Sequence, residues 1–185
     1  MTILGDKAQT LDEQMRDVLQ FLPGVFDQKI RKIVMNKSYR NTMEIARYAE
    51  KLTGVKDVEL LKRHGKEVVE EQFQTEDAVL DEILSKAKLG EDEYETAAII
   101  TMTEAEASTL YQILKARGEE VHYIDRNSSV FKKGLTVTTF YLAKGLEFDQ
   151  VFGVFQDAGN PMLNQAKYIC ATRALHELYM YQITE

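Results

Sequence analysis

Two arginines of the sequence stand in contexts that suit the recognition of phosphate. Arg40 follows the aromatic residue Tyr39, and Arg173 lies in a Thr-Arg-Ala triplet of a helical segment. A guanidinium group donates two parallel hydrogen bonds from a planar fork, and this geometry matches the oxygens of a phosphate group. An aromatic ring beside it can stack on a purine. A surface arginine and a half-buried tyrosine would explain the same residues, so the pattern indicates a nucleotide only together with other segments.

Further groups of this kind lie elsewhere in the chain. Gly145 permits close approach of a phosphate to the backbone, and Glu147 could bond a ribose hydroxyl. Thr139 and Lys144 could contact a phosphodiester backbone, as residues that do not read bases commonly do. Near the N-terminus, Gln9 follows a Gly-Asp turn and offers both a donor and an acceptor. A turn followed by a helix cap would explain that last segment equally well.

The elements that must position these residues are short β-branched runs alternating with helices. This alternation is typical of βαβ units and a parallel sheet, and right-handed crossovers then place helices on both faces. We therefore predict one α/β domain over residues 1–185. The predicted strands are 2–4, 29–35, 67–72, 97–102, 121–124, 135–140, 150–155 and 178–183. The predicted helices begin at Thr10, Asn41, Thr75, Thr103 and Asn160, and the last runs to about His176.

The topology also predicts where the candidate residues lie. In an open α/β sheet, ligands bind at the carboxyl ends of the strands. We therefore expect Arg40, Glu147 and Arg173 at that edge, with the two guanidinium groups converging on one rim.

The composition is that of a folded globular chain. Of 185 residues, 44% are hydrophobic and 29% are charged, which excludes disorder as the main state. The single cysteine, Cys170, excludes an internal disulfide and favours a reducing compartment. No apolar run approaches the ~20 residues of a membrane helix, and residues 1–6 show neither a basic region nor a long apolar stretch. We therefore expect no signal peptide, no membrane partner and a cytoplasmic protein.

The charge is spread unevenly along the chain. The net charge of −7 argues against a free-standing nucleic-acid binder. Residues 29–66 carry 11 Lys and Arg against 4 Asp and Glu, whereas residues 67–95 carry 2 against 11. Two solvated faces would explain this distribution, and the alternative is a basic face for phosphates backed by an acidic face.

Four segments together resemble a known family. The chain contains Gly5-Asp6-x-x-Gln9, Tyr39-Arg40, Thr139-x-x-x-Ala143-Lys144-Gly145-Leu146-Glu147-Phe148 and Tyr168-x-x-x-Thr172-Arg173-Ala174. In this order they resemble motifs III, IV, V and VI of superfamily 1 DNA helicases of the UvrD, Rep and PcrA kind. Only about 95 residues separate Arg40 from Leu135, which is closer to the HelD and helicase IV branch. The resemblance implies a RecA-like three-layer domain with a mainly parallel central sheet.

The resemblance also implies a role for each residue. Arg173 would be the arginine finger, Arg40 would reach the γ-phosphate of ATP, and Gln9 would sense that phosphate. The residues implied to bind the rest of the nucleotide are Tyr39 at adenine, and Gly145 and Glu147 near the sugar. The residues implied to contact single-stranded DNA are Thr139, Tyr141 and Lys144. This chain departs from the family at Ser38, where members carry Asn, and at Tyr141, where they carry His.

The phosphate cradle of such enzymes is missing from the sequence. There is no Gly-x-x-x-x-Gly-Lys-[Ser/Thr] pattern, and both Asp-Glu pairs fall inside amphipathic helices rather than after a buried strand. We therefore expect the second, C-terminal motor domain of an ATP-dependent DNA helicase. ATP and Mg²⁺ would bind between it and an N-terminal RecA-like domain of the same polypeptide, and the isolated chain would be inactive.

Two other interpretations stay open. The chain could be a non-catalytic interaction module of a HelD-like motor that docks on RNA polymerase through the acidic residues 67–95. It could also be an α/β domain in which the motifs occur by chance.

Overall fold

The computed structural model describes residues 24–25, 33, 37–38, 40–54, 59–60, 62–90, 94–128 and 131–184. The strands in these parts are β1 (Lys37–Ser38), β2 (Glu59–Leu60), β3 (Val69–Phe73), β4 (Thr96–Thr101), β5 (Val121–Tyr123), β6 (Gly134–Thr139), β7 (Phe148–Phe155) and β8 (Ala174–Ile183). The helices are α1 (Met43–Thr53), α2 (Glu76–Lys86), α3 (Glu104–Ala116) and α4 (Leu163–Arg173). No helix in the described parts is long and apolar enough to cross a membrane.

Some predicted features lie outside the described residues. They are the strand 2–4, all but residue 33 of the strand 29–35, the helix from Thr10, and the candidate site residues Gln9 and Tyr39.

A parallel sheet of six strands forms the middle of the domain. Its strand order is β3-β8-β7-β4-β6-β5, and each neighbouring pair is parallel. The strands β1 and β2 form a separate parallel pair. Because all six strands run the same way, the sheet has an amino edge, where its strands begin, and a carboxyl edge, where they end.

Helices cover both faces of the sheet and make three layers. Alternate residues of β4 point to opposite faces, as the pleat requires. Ala98 and Ile100 join the core formed with α1 and α4, whereas Ala97 and Ile99 join the core formed with α2 and α3. All four side chains are fully buried. The predicted parallel α/β domain with helices on both faces is confirmed.

The helix starts follow local capping chemistry. Thr75 accepts a hydrogen bond from the backbone of α2, and Thr103 with Glu106 forms the predicted capping box of α3. The prediction for α1 is off by one residue, because its cap is Thr42 and not Asn41. The Asn41 side chain binds another part of the fold, described below.

The end of α4 also differs from the prediction. The helix stops at Arg173 and β8 starts at Ala174, so residues 174–176 are strand rather than helix. Ala174 pairs with Phe148 of β7, and β3 pairs with the other side of β8. The mispredicted residues pair with β7 alone, since β3 meets β8 only from Tyr179 onward; this pairing is a tertiary effect, and for this reason the local helical pattern did not predict it.

Candidate functional site

Arg40 forms an ion pair with Glu147 at the amino edge of the sheet. The distance from Nη2 of Arg40 to Oε1 of Glu147 is 2.7 Å, and the two side chains are 45% and 42% exposed. An exposed pair of this kind contributes roughly 0–1 kcal/mol to stability. Both charged groups can therefore turn to another partner at little cost.

Arg173 lies directly beside this pair but is buried. The residue is only 4% exposed. Its Nη1 donates to the carbonyl of Leu146 at 3.1 Å, and its Nη2 donates to the hydroxyl of Thr172 at 3.2 Å. Because Leu146 precedes Glu147 in the chain, the two guanidinium groups bind neighbouring residues of one loop. Arg173 is thus held under this loop rather than projecting from the surface.

Gly145 gives the loop its shape. Its φ of +95° lies in the left-handed region, which side chains with a Cβ rarely adopt. A Cβ at this position would have no heavy atom within 4 Å. The glycine is therefore required by its backbone angle, and the space next to it is open.

Asn41 ties the segment of Arg40 to the end of α4. Its side-chain amide donates to the carbonyls of Ala171 at 2.9 Å and Ala174 at 2.7 Å. These carbonyls lie on either side of Arg173 in the chain. Asn41 therefore fixes the backbone next to Arg40 against the backbone around Arg173.

The edge at which these residues meet differs from the predicted one. Glu147 directly precedes β7 and Arg173 directly precedes β8, so both lie at the amino edge and not at the carboxyl edge. The ion pair with Glu147 places Arg40 there too. The reason is that the connection 140–147 crosses from the end of β6 to the start of β7, while α4 runs back to the start of β8.

The carboxyl edge holds a different cluster. The hydroxyl of Tyr141 donates to Glu104 at 2.8 Å, and Nε of Arg126 donates to the same carboxylate oxygen at 2.8 Å. The Arg126 guanidinium also lies 6.0 Å from the centre of the Tyr141 ring. The hydrogen bonds from Tyr141 and Arg126 lower the pKa of Glu104. The carboxylate is therefore charged at neutral pH.

The residues predicted to contact a DNA strand divide into two groups. Thr139 is 1% exposed, and its hydroxyl has no hydrogen-bond partner among the described residues. Tyr141 is half-buried and Lys144 is exposed. Tyr141 and Lys144 thus reach the surface, whereas Thr139 lies inside the fold.

A buried carboxylate at the amino edge was not predicted. Glu177 is 3% exposed and accepts hydrogen bonds from Tyr179 at 2.7 Å and Gln150 at 2.9 Å. Lys66 and Lys88 lie 2.9 and 3.3 Å from it. Burial alone would raise the pKa of Glu177, but the bonds from Tyr179, Lys66 and Gln150 outweigh it and hold the pKa at about 2.

Of the two lysines near Glu177, Lys66 had a signal in the sequence, the excess of positive charge over residues 29–66, whereas Lys88 lies in the acidic segment 67–95 and had none. That excess does not show which carboxylate Lys66 meets, because Glu177 follows Lys66 by more than a hundred positions. No group of three or more His, Cys, Asp or Glu side chains that could hold a metal ion occurs among the described residues.

Comparison with solved structures relates the chain to a bacterial protein domain. The chain is similar to the crystal structure of the C-terminal domain of a possible DNA helicase from Lactobacillus plantarum WCFS1, with 28% identity and a TM-score of 0.57 over 79% of this chain and 88% of that chain. This likeness agrees with the predicted RecA-like α/β fold and supports a helicase C-terminal domain.

Two structures of Arterivirus nonstructural protein 10, a helicase, are more distant. The complex with DNA has 12% identity and a TM-score of 0.41, over 63% of this chain and 28% of that chain. The crystal structure of the same protein has 13% identity and a TM-score of 0.40, over 63% and 27%. No family model matches the sequence, and no curated protein matches it significantly.

Proposed function

We propose that this domain is the second RecA-like motor domain of an ATP-dependent DNA helicase or translocase of superfamily 1, of the UvrD, Rep and PcrA kind and closest to the HelD branch. The observation that carries this proposal is the meeting of Arg40 and Arg173 on one loop at the amino edge. The similarity to the C-terminal domain of a possible DNA helicase supports it.

The residues at the amino edge fit a phosphate ligand. Two guanidinium groups bind Leu146 and Glu147, which follow Gly145 in the chain, and the space next to Gly145 is open. Arg40 is exposed, whereas Arg173 would have to leave its bonds to Leu146 and Thr172 to reach a phosphate. Arg40 can leave its exposed ion pair and donate to a phosphate oxygen, and Glu147 is then released toward a ribose hydroxyl. ATP, with Mg²⁺, would supply the free energy for movement along DNA. In this proposal the cleft is completed by an N-terminal RecA-like domain of the same polypeptide.

Single-stranded DNA would lie toward Tyr141 and Lys144. These two residues and Glu147 belong to the single connection between β6 and β7. A shift of this connection at the nucleotide end would therefore move Lys144, which lies next to Gly145, and Tyr141 at the other end. Binding of the nucleotide in the cleft would in this way be coupled to the position of the residues that contact single-stranded DNA.

The decisive experiment is Arg173→Ala in the full-length protein. An arginine that stabilises charge on a transferring phosphoryl group is worth ~10³–10⁵ in rate, so we expect a loss of that order in ATP turnover. The control is Arg117→Ala, which removes an arginine that binds Asp77 and Asp81 of α2, away from the site. Near-normal turnover in Arg173→Ala would overturn the proposal.

The isolated chain provides a second test. Without a phosphate cradle it should show no steady ATP turnover and only weak nucleotide binding. Sustained ATP hydrolysis by the purified 185 residues would contradict the proposal that the ATP site needs residues of two domains.

A second candidate function rests on the acidic surface. Five carboxylates are exposed on and near the edge strand β3 and helix α2: Glu67, Glu70, Glu71, Asp77 and Asp81. They suit a non-catalytic module that docks on a protein partner such as RNA polymerase. Salt-sensitive binding to single-stranded DNA favours the motor, because phosphate contacts release counterions. Salt-insensitive binding to a protein partner favours the docking module.

A further inference from the structure

A short basic segment, residues 62–66, runs along the amino edge, and we name it the basic strap. Its carbonyl at Arg63 accepts a hydrogen bond from the backbone of Met43 at 2.8 Å. The backbone N–H of Gly65 donates to Glu44 at 2.8 Å, and Lys66 binds Glu177 at 2.9 Å. The strap is thus fixed both to the start of α1 and to β8.

The carboxylate of Glu44 holds the middle of the strap. It accepts a hydrogen bond from His64 at 2.9 Å as well as the bond from Gly65. These two bonds lower the pKa of Glu44 to about 2. The carboxylate therefore stays charged throughout the physiological pH range and can accept the hydrogen bonds from the basic strap.

Arg63 reaches both arginine-bearing segments of the site. Its Nη2 donates to the carbonyl of Leu175 at 2.7 Å, and its Nη1 donates to the carbonyl of Arg40 at 3.4 Å. Leu175 follows Arg173 by two residues. One side chain therefore connects the backbone of Arg40 with the strand that begins directly after Arg173.

The same guanidinium group also fixes His176. Nη2 of Arg63 lies 2.9 Å from Nδ1 of the imidazole. A guanidinium group can only donate, so Nδ1 must accept, and the ring proton must be on Nε2. Nε2 lies 3.6 Å from Asp149, and the ring stacks on Tyr94 with centroids 5.2 Å apart.

We propose that Arg63 is a positioning residue for the site at the amino edge, resting on the proposed function. It sets the spacing between Arg40 and Arg173 through backbone carbonyls, and it touches no substrate. A planar fork can hold carbonyl and imidazole acceptors at once, whereas a lysine ammonium is a single point charge on a flexible stem. Arginine is therefore the side chain that this position requires.

The activity test uses three variants of the full-length protein. Arg63→Met removes the guanidinium group, and Arg63→Lys keeps the positive charge without that group. Arg47→Met is the control, because it replaces an arginine by methionine at an exposed position of α1. A misplacement of about 1 Å can cost ~10²-fold in rate, so we expect kcat for ATP to fall by about that factor in Arg63→Met. KM for ATP should change far less, because Arg63 does not bind the nucleotide.

The outcomes separate positioning from charge. Arg63→Lys should stay close to Arg63→Met, and Arg47→Met should match the unchanged protein. Equal kcat in Arg63→Met and Arg47→Met would overturn the inference, and so would full activity in Arg63→Lys. If Arg173→Ala abolishes turnover while Arg63→Met does not, the proposed function stands and only the positioning role fails.

A second measurement does not depend on activity. Nitrogen-15 NMR of the imidazole should show His176 of the unchanged protein as a single Nε2–H tautomer. Arg63→Met should produce a mixture of tautomers, because Nδ1 loses its donor. An Nδ1–H tautomer in the unchanged protein would overturn the arrangement, and this result is obtained even where Arg63→Met fails to fold.

Discussion

The two edges of the sheet each carry an exposed arginine paired with a glutamate. At the amino edge the pair is Arg40 and Glu147 at 2.7 Å, and at the carboxyl edge it is Arg126 and Glu104 at 2.8 Å. By distance and residue type the two pairs are almost equal. What differs is the structure around them.

In the described part of the chain, buried charged groups lie near the pair at the amino edge and none lies near the pair at the carboxyl edge. Arg173 and Glu177 are 4% and 3% exposed, and each is held by several hydrogen bonds. Arg126 at the other edge is 73% exposed. Burying charged groups costs free energy unless they are well bonded, so such a cluster persists only where other contacts compensate. A candidate site is therefore distinguished by its buried support more than by its exposed ion pair.

The largest expected difference between the edges is in catalysis. Arg40→Ala in the full-length protein should lower ATP turnover by ~10²–10³-fold, the usual effect of removing one electrostatic stabiliser from a transition state. Arg126→Ala removes an arginine from a pair of nearly the same length and should leave basal turnover unchanged. Steady-state ATPase assays compare the two variants. Equal turnover in both would show that the amino edge has no special role.

The sequence could predict the layers and most strands, because β-branched runs and capping residues are local signals. Strands β4, β6 and β7 lie within two residues of their predicted limits. The capping box at Thr103 is also local, and it was predicted correctly. Local patterns failed at Ala174, where pairing with Phe148 of β7 decides the conformation.

The candidate site was predictable in its residues but not in its position. Motif patterns singled out Arg40, Glu147 and Arg173, and these residues do lie together. The edge was wrong because the sequence does not show that residues 140–147 cross the sheet. Arg63 and Glu177 were missed because their partners are distant in the chain, and no spacing rule links them.

The next largest effect is expected on stability at the amino edge. Glu177→Gln keeps the shape of the side chain but removes the charge that binds Lys66 and Lys88. Hydrogen bonds to charged groups contribute about 1.5–3 kcal/mol, so the free energy of unfolding should fall by that amount at pH 7. Urea unfolding measures it. Glu95→Gln, which removes one partner of the exposed Lys133, is the control and should change little.

The pH dependence of this effect has a definite sign. The pKa of Glu177 is lowered from 4.5 to about 2 in the fold, so the unfolded chain takes up a proton first as pH falls. The stabilisation is complete above pH 4.5 and is lost between there and pH 2. The difference between Glu177→Gln and the unchanged protein should therefore shrink when unfolding is measured at pH 3. A constant difference would contradict the buried charge.

A smaller effect is expected from crowding the basic strap. A Cβ at Gly65 would lie 2.5 Å from Cγ2 of Thr42, the buried cap of α1. Overpacking of this kind costs about 1–3 kcal/mol, so Gly65→Ala should lower the free energy of unfolding by that amount. Gly90→Ala is the matched control, because nothing lies within 4 Å of its Cβ position. Equal stability of the two variants would mean that the strap does not pack against α1.

The smallest effect is expected at the carboxyl edge. Tyr141→Phe removes the hydroxyl that binds Glu104 but keeps the ring. If this hydroxyl turns to a DNA phosphate, its loss should cost about 0.5–1.5 kcal/mol of binding free energy. Fluorescence anisotropy with labelled single-stranded DNA measures the change, and Tyr111→Phe in α3 is the control. Unchanged affinity would mean that Tyr141 only packs against Arg126 and Glu104. The carboxyl edge would then differ from the amino edge in function as well as in burial.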